Sequence, residues 1–173
     1  MKSFVLAGGC FWCLDSAYMQ FKGVSDVECG YMGGHVDNPS YEAVCTGNTN
    51  HAEVAEVHFD ENVISAETIL DIFFTLHDPT QLNRQGNDIG TQYRSEMFYR
   101  NVEEKQAFEA ALERAKELWG GTIVTAITPA ETFWSAEEYH QDFFAKNPNQ
   151  GYCTAVVEPK MAKVRKAFSV YAK

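Results

Sequence analysis

The stretch KSFVLAGGCFWC, residues 2–13, places a short apolar segment directly before two glycines and two cysteines. Residues 3–7 predict a short buried strand that Gly8 and Gly9 bring to an end. A helix is expected from about Cys10 to Lys22, with Gly23 as its stop. The chain therefore begins with a β-α unit whose turn carries the cysteines.

The remainder of the chain continues this alternation. Helices are expected after the capping residues Ser65, Asn101 and Ser135, and again over residues 160–170. Strands are predicted over residues 24–31, 51–59, 93–99, 122–128 and 152–157. This order predicts an α+β fold, a single domain over residues 1–173. We expect a mixed sheet with a ferredoxin-like split βαβ core and flanking helices.

Charge and composition limit the partners of the protein. The formal net charge is −10, from 24 acidic and 14 basic residues. This excess of acid argues against nucleic acid and anionic membranes, which both need basic patches. The uncharged segment 3–14 is shorter than the roughly 20 residues that span a bilayer, and it lacks a signal-peptide cleavage pattern. We expect a cytoplasmic monomer.

Five cysteines, an odd number, argue against a disulfide scaffold: Cys10, Cys13, Cys29, Cys45 and Cys153. In a reducing compartment such residues are buried, metal-bound or redox-active. A cysteine at a helix start has its thiolate favoured by free backbone N–H groups, so Cys10 is a candidate nucleophile as well as a candidate small core residue. With Cys13 it forms a C-x-x-C pair, typical of thiol–disulfide oxidoreductases.

A zinc site is the alternative use of the same residues. His51-Ala52-Glu53 matches half of the signature of zinc nucleobase deaminases, but no P-C-x-x-C follows it. Zinc needs about four ligands, so we expect no metal. Strand periodicity places Glu53 on one face with Ala55 and Val57. If that face is inward, burial raises the pKa of Glu53 and makes it a neutral proton donor.

Two further segments carry candidate groups. The polar loop RQGNDIGTQYRS, residues 84–95, contains Asp88 and Tyr93, which are candidates for a site or for turn formation. Trp134, Tyr139 and His140 lie on or near a predicted helix. For these three residues we expect core packing.

Six segments taken together resemble one family, the A-type peptide methionine sulfoxide reductases. The resemblance covers nearly the whole chain. The segments, in chain order, are GGCFWC, GYMGG, SYEAVCTGNTNHAEV, HDPTQLNRQGNDIGTQYRS, FWSAEEYHQDF and PKMAKVRK. The resemblance implies an enzyme that reduces the S-epimer of methionine sulfoxide, in oxidised proteins and peptides or as the free amino acid.

The resemblance also implies a role for each candidate. Cys10 attacks the sulfoxide sulfur and becomes a sulfenic acid. Phe11 and Trp12 form an apolar wall around the substrate methyl group. Tyr41, Glu53 and Tyr93 bind and protonate the sulfoxide oxygen, and Asp88 supports that site. A resolving thiol then forms a disulfide that thioredoxin reduces, with no bound cofactor.

Two positions depart from the family pattern. Cys13 stands where the family motif usually has glycine, and Asn50 replaces the glycine before His51. The resolving thiol is therefore open between Cys153, which matches a resolving cysteine of the family and is favoured, and Cys13, which is nearer in sequence. A general C-x-x-C thiol–disulfide oxidoreductase remains the alternative function.

Overall fold

Eight strands and six α-helices make up residues 1–173, all of which the computed structural model describes. The strands are β1 (Lys2–Gly8), β2 (Val24–Met32), β3 (Ala52–Phe59), β4 (Arg84–Gln85), β5 (Asp88–Ile89), β6 (Ser95–Tyr99), β7 (Ala126–Pro129) and β8 (Trp134–Ser135). The helices are α1 (Phe11–Tyr18), α2 (Tyr41–Cys45), α3 (Ala66–Leu76), α4 (Val102–Trp119), α5 (Phe143–Lys146) and α6 (Glu158–Ala167). None of the helices is long and apolar enough to cross a membrane.

The main sheet has six strands in the order β7-β6-β1-β3-β2-β8. Strand β1 is antiparallel to both β3 and β6, and β2 is antiparallel to β3. The central four strands therefore have the order of two interlocked split βαβ units, joined through α1 and α3. Because β7 runs parallel to β6, the sheet is mixed. The predicted fold class is confirmed.

Alternation along β1 divides the core into two layers. Phe4 and Leu6 point into the large cluster formed with α1, α3 and α4. Val5 and Ala7 point to the opposite face, where a smaller cluster is partly covered by Phe133. The sheet is thus covered by helices on one face. The turn that leaves β1 for α1 lies at the edge of that helical layer.

Two predicted helix caps are present. The Ser65 hydroxyl accepts a hydrogen bond from the Thr68 N–H, and the Asn101 side chain accepts one from the Glu104 N–H. Helix α4 ends at Trp119, and the following Gly120 has a φ of +61°, the left-handed conformation expected of a glycine after a helix. These local signals are strong enough to set the start of α3 and both ends of α4.

Three predicted elements differ from the structure. Helix α1 ends at Tyr18 because the following residues turn to meet the C-terminus, with Lys22 donating to the Tyr171 carbonyl. Ser135 caps no helix; it pairs with Gly30 as part of β8. The segment Cys153–Val157, predicted as a strand, is a π-helical turn that leads into α6. It buries Cys153 and Val157 but exposes Ala155 between them, whereas an extended strand would place all three on one face.

Candidate active site

The turn between β1 and α1 positions Cys10. Gly9 has a φ of +90°, and a Cβ atom at this position would lie 2.9 Å from the side chain of Gln85. Glycine is therefore required for the chain to leave the sheet here. Cys10 follows as the N-cap residue of α1 and is only 8% exposed. Its sulfur lies at the start of a helix, as the sequence predicts.

The pKa values of Cys10 and Cys13 shift in opposite directions. Burial, followed by a hydrogen bond to Cys13, raises the pKa of Cys10 well above its usual value. The same bond lowers the pKa of Cys13, and the charge of Lys160 lowers it further. The lowered pKa expected for Cys10 is thus wrong for the substrate-free protein, because desolvation outweighs the N–H group of Trp12.

Glu53 lies beneath the start of α1. It is 1% exposed, and its Oε1 accepts a hydrogen bond of 3.1 Å from the Phe11 N–H. Its Oε2 is buried without any hydrogen-bond partner. Burial raises the pKa of Glu53 to about 8, and the negative charge of Asp88 contributes to the rise. The site therefore holds a protonated carboxyl group with one oxygen free, as expected from the inward face of β3.

Two phenol groups accompany this carboxyl group. Burial, and then the proximity of Glu53, raises the pKa of Tyr41 and of Tyr93, so both keep their protons as hydrogen-bond donors. Tyr41 is the first residue of α2, and its N–H donates to the Glu137 carboxylate at 2.9 Å. Tyr93 ends a 3₁₀ turn over Thr91–Tyr93. Both residues belong to the same apolar cluster as Cys10.

Asp88 has a partner that the sequence did not indicate. It lies on β5, and its carboxylate accepts a hydrogen bond from the Tyr152 hydroxyl. The Tyr152 ring also packs edge-on against Trp12, with ring centroids 5.7 Å apart. Tyr152 therefore brings the C-terminal segment into the site. In the sequence, Tyr152 could have been identified as a site residue from its position directly before Cys153.

Trp12 is oriented by His140, for which the sequence predicted core packing, and by Phe143, which the sequence did not single out. Its indole N–H donates to His140 Nδ1 at 3.0 Å. Its ring stacks on Phe143 at 3.7 Å and 3°. His140 is fully buried and also packs against Tyr41. It therefore packs in the core, as predicted, and in addition orients Trp12. Phe11 is also fully buried and supports the site from behind, whereas Trp12 is partly exposed.

Four of the five cysteines share one apolar cluster. Cys153 is completely buried in the cluster that contains Cys10, Cys13 and Cys29. Cys45 lies apart at the exposed end of α2. All five are free thiols in this structure. The structure thus brings both candidate resolving thiols near the start of α1.

His51 has a structural role. Its Nδ1 accepts a hydrogen bond from the Gly34 N–H, which leaves Nε2–H to donate to the Val36 carbonyl at 2.7 Å. Both ring nitrogens are thereby used to hold the loop after β2, so His51 is not free to act as the zinc ligand of a deaminase. Asn50 before it has a φ of +59°, a conformation that asparagine adopts in place of glycine.

Comparison with known proteins finds a matching family. A family model described as peptide methionine sulfoxide reductase matches residues 2–171. A relative described as peptide methionine sulfoxide reductase MsrA, from Clavibacter michiganensis subsp. michiganensis, is 62% identical over 173 residues. The match covers 100% of this chain and 99% of that relative.

Solved structures agree with the fold. Mxr1 from Saccharomyces cerevisiae in reduced form has a TM-score of 0.83 and 38% identity, covering 88% of each chain. Mxr1 in complex with Trx2 has a TM-score of 0.58 and 25% identity, covering 82% of this chain and 84% of that one. The lower TM-score is that of the Mxr1 chain in complex with Trx2.

Proposed function

The chain belongs to the peptide methionine sulfoxide reductase family, and from that membership we propose how its residues carry out the reaction. The enzyme reduces methionine sulfoxide to methionine with a thiol as the electron donor. One observation supports this assignment above the others. A buried cysteine at a helix start lies in the same site as a buried glutamic acid whose Oε2 has no partner. That oxygen is available to a sulfoxide oxygen.

In the first step Glu53 gives its proton to the sulfoxide oxygen, with the Tyr41 and Tyr93 hydroxyls donating hydrogen bonds to the same atom. The sulfoxide sulfur becomes electrophilic, and Cys10 attacks it. The attack forms an S–S bond between Cys10 and the substrate. The oxygen then passes to Cys10 as this S–S bond and the S–O bond of the substrate break, so methionine leaves and Cys10 becomes a sulfenic acid. The thiol proton of Cys10 replaces the one that Glu53 gave, so the proton count balances. Such donors act strongly because the site excludes water.

The methyl group of the substrate needs an apolar surface. We assign this role to Trp12, with Phe11 behind it. The hydrogen bond to His140 and the stacking on Phe143 fix the indole ring in one orientation. Asp88 acts through its charge, because it helps to keep Glu53 protonated.

In the second step a thiol attacks the sulfenic acid and water leaves. The Cys13 N–H donates to the Cys10 carbonyl at 3.1 Å, which keeps both residues on one helical turn and supports Cys13 as the first attacker, although the sequence favoured Cys153. Cys153, buried in the same cluster, is then the next thiol that can exchange with the new disulfide. Mass-spectrometric mapping of disulfides at short and long times tests this order. A Cys10–Cys153 bond present from the start would contradict it.

The reductant of the disulfide is proposed to be thioredoxin. The support is the Mxr1 structure in complex with Trx2, a neighbour of this fold. Five free thiols suit a reducing compartment and support a cytoplasmic location. We further propose that the enzyme is a monomer and needs no bound cofactor.

The alternative function, that of a general C-x-x-C oxidoreductase, leaves more of the site residues without a role. Disulfide exchange requires the two thiols alone, and it gives no task to a neutral glutamic acid with two phenols beside it. Sulfoxide reduction uses all of these groups. Family membership points the same way.

The separated epimers of N-acetylmethionine sulfoxide test the proposed reaction. Incubated with the protein and a thioredoxin system, the S-epimer should be consumed and the R-epimer should remain. A chain that reduces protein disulfides but neither epimer would be the general oxidoreductase instead.

A further inference from the structure

The second step needs a thiolate that persists after the first step. In the reduced protein the largest cause that lowers the pKa of Cys13 is the hydrogen bond from the Cys10 thiol. That contact changes once Cys10 becomes a sulfenic acid, because the S–H donor is replaced by an O–H group one atom further from the Cys10 backbone. Two groups from the C-terminal segment then remain to favour the Cys13 thiolate, namely Lys160 and Tyr152.

Lys160 is a cation without a partner. Helix α6 packs against α1, and the Lys160 Nζ lies 3.9 Å from the point that a Cβ on Gly9 would occupy. The side chain is half-buried and lines a cavity of about 550 Å³ together with Tyr152 and Asp88. It takes part in none of the ion pairs of the protein. Its charge is therefore left to act on the turn that carries the thiols.

Tyr152 supplies a neutral donor to the same place. Its hydroxyl donates to Asp88 in this structure, and its ring packs against Trp12 and the apolar cluster that contains Cys13. Burial raises its pKa, so the proton stays on the phenol. Since a phenol has one proton, Tyr152 can serve Asp88 or Cys13 but not both at once. Lys160 has no such restriction.

We propose that Lys160 and Tyr152 together activate Cys13 for its attack on the Cys10 sulfenic acid. This inference rests on the proposed function and deepens its second step. The Cys13 thiolate forms an S–S bond to Cys10 while the S–O bond of the sulfenic acid breaks. The departing hydroxide takes a proton and leaves as water. Residues 152–160 therefore assist the conversion of the sulfenic acid to a disulfide, whether or not Cys153 itself reacts.

Charged and titratable groups reach Cys13 from each neighbouring part of the fold. The thiolate is favoured by the cation on α6 and the phenol before the π-helical turn, and it is opposed by the acidic groups. These groups are Cys10 on α1, Asp88 on β5, Glu53 on β3, Tyr152 and Cys153 on the C-terminal segment, and Lys160 on α6.

Substitution of Lys160 tests the inference in a Cys153→Ser chain, where Cys13 is the proposed resolving thiol. The decay of the sulfenic acid is followed after one equivalent of sulfoxide, across a pH series. Lys160→Met should move the apparent pKa of this decay upward by about one unit. Below that pKa the decay should slow about threefold relative to methionine formation, because a more basic thiolate partly compensates for its lower abundance. Lys160→Arg should restore the profile.

One control variant and one further test variant accompany the experiment. Lys163→Met removes a cation one turn further along α6 that lines the same cavity, and its profile should match the parent chain. Tyr152→Phe keeps the ring against Trp12 and removes only the hydroxyl, so it should also slow the decay. Unchanged profiles in both Lys160→Met and Tyr152→Phe would overturn the inference, as would a decay that survives Cys13→Ser. Failure of the parent chain to form methionine would instead contradict the proposed function.

Discussion

The protonation state of Glu53 is the residue-scale feature on which the first step depends. Glu53→Gln keeps the shape and a donor but cannot transfer a proton. We expect single-turnover methionine formation to fall by about 10²–10⁴-fold. In the parent protein the rate should fall as pH rises through about 8, where Glu53 loses its proton, and this decline should be absent in the variant.

Glu56→Gln is the matched control for that experiment. Glu56 lies on the same strand but on its opposite, partly exposed face, so its removal should leave the pH profile of methionine formation unchanged. If Glu53→Gln keeps both the rate and the decline above pH 8, the proton comes from another group.

Asp15 provides a second residue-scale prediction, on stability. It is 1% exposed; one oxygen has no partner and the other accepts from the Asp142 N–H. Burial raises its pKa to about 7 in the folded protein, against about 3.9 in an unfolded chain. Below about pH 4 Asp15 is protonated in both states, so its burial as a neutral acid contributes its full stabilisation there. As pH rises toward 7 only the unfolded state ionises, so stability declines by about 1.4 kcal/mol per pH unit.

Asp15→Asn should remove the part of this decline that comes from Asp15, while the part that comes from the raised pKa of Glu53 remains. Urea unfolding of the reduced protein at several pH values checks it: the variant should gain stability over the parent between pH 5 and pH 7. The exposed Asp26→Asn on β2 should show no such gain. Equal pH dependence in parent and Asp15→Asn would mean that Asp15 ionises normally in the folded state.

At the same scale, the sequence identified most of the candidate site. Glu53 could be placed by strand alternation, and the Cys10 turn by its glycines. The pKa values could not be obtained in this way, because they depend on groups far apart in the chain. Cys13 is one example, since its pKa depends on Lys160. His140 is another, because only the folded chain brings it to the Trp12 indole.

At the scale of elements, the turn from β1 to α1 has the most restricted backbone conformation. Gly9→Ala should destabilise the protein by about 1–3 kcal/mol, since a side chain is strained at this backbone conformation and would meet Gln85. It should also lower activity, because Cys10 follows directly. Thermal unfolding together with the methionine burst checks both effects. Gly121→Ala, where a Cβ would make only an ordinary 3.9 Å contact with the Trp119 carbonyl oxygen, should change neither. Equal behaviour of the two variants would contradict the role assigned to this turn.

Elements with local signals were predictable, and those set by distant contacts were not. Helices α3 and α4 have caps within their own sequence, and both were found. Ser135 has the composition of a cap, but its backbone hydrogen bonds go to β2, more than 100 residues earlier. The segment Cys153–Val157 has two adjacent valines typical of strands, yet burial of Cys153 against the cluster of thiols favours a helical turn.

At the scale of the whole molecule, the fold collects its reactive groups from parts of the chain that are distant in sequence. The turn before α1 provides the two thiols, β3 provides the acid, and the C-terminal segment provides Tyr152, Cys153 and Lys160. The split βαβ order was predictable from the alternation of elements, whereas the path of the last 40 residues was not. That path decides which thiols meet.

The central claim is that Cys10 takes the oxygen from the sulfoxide. The most direct test uses a chain with both candidate resolving thiols removed, Cys13→Ser with Cys153→Ser, treated with excess methionine S-sulfoxide and no reductant. We predict one methionine formed per chain and, by mass spectrometry, one added oxygen on Cys10; adding Cys10→Ser should abolish both. Methionine formed by the chain that lacks Cys10, or oxygen found on another residue, would contradict the account.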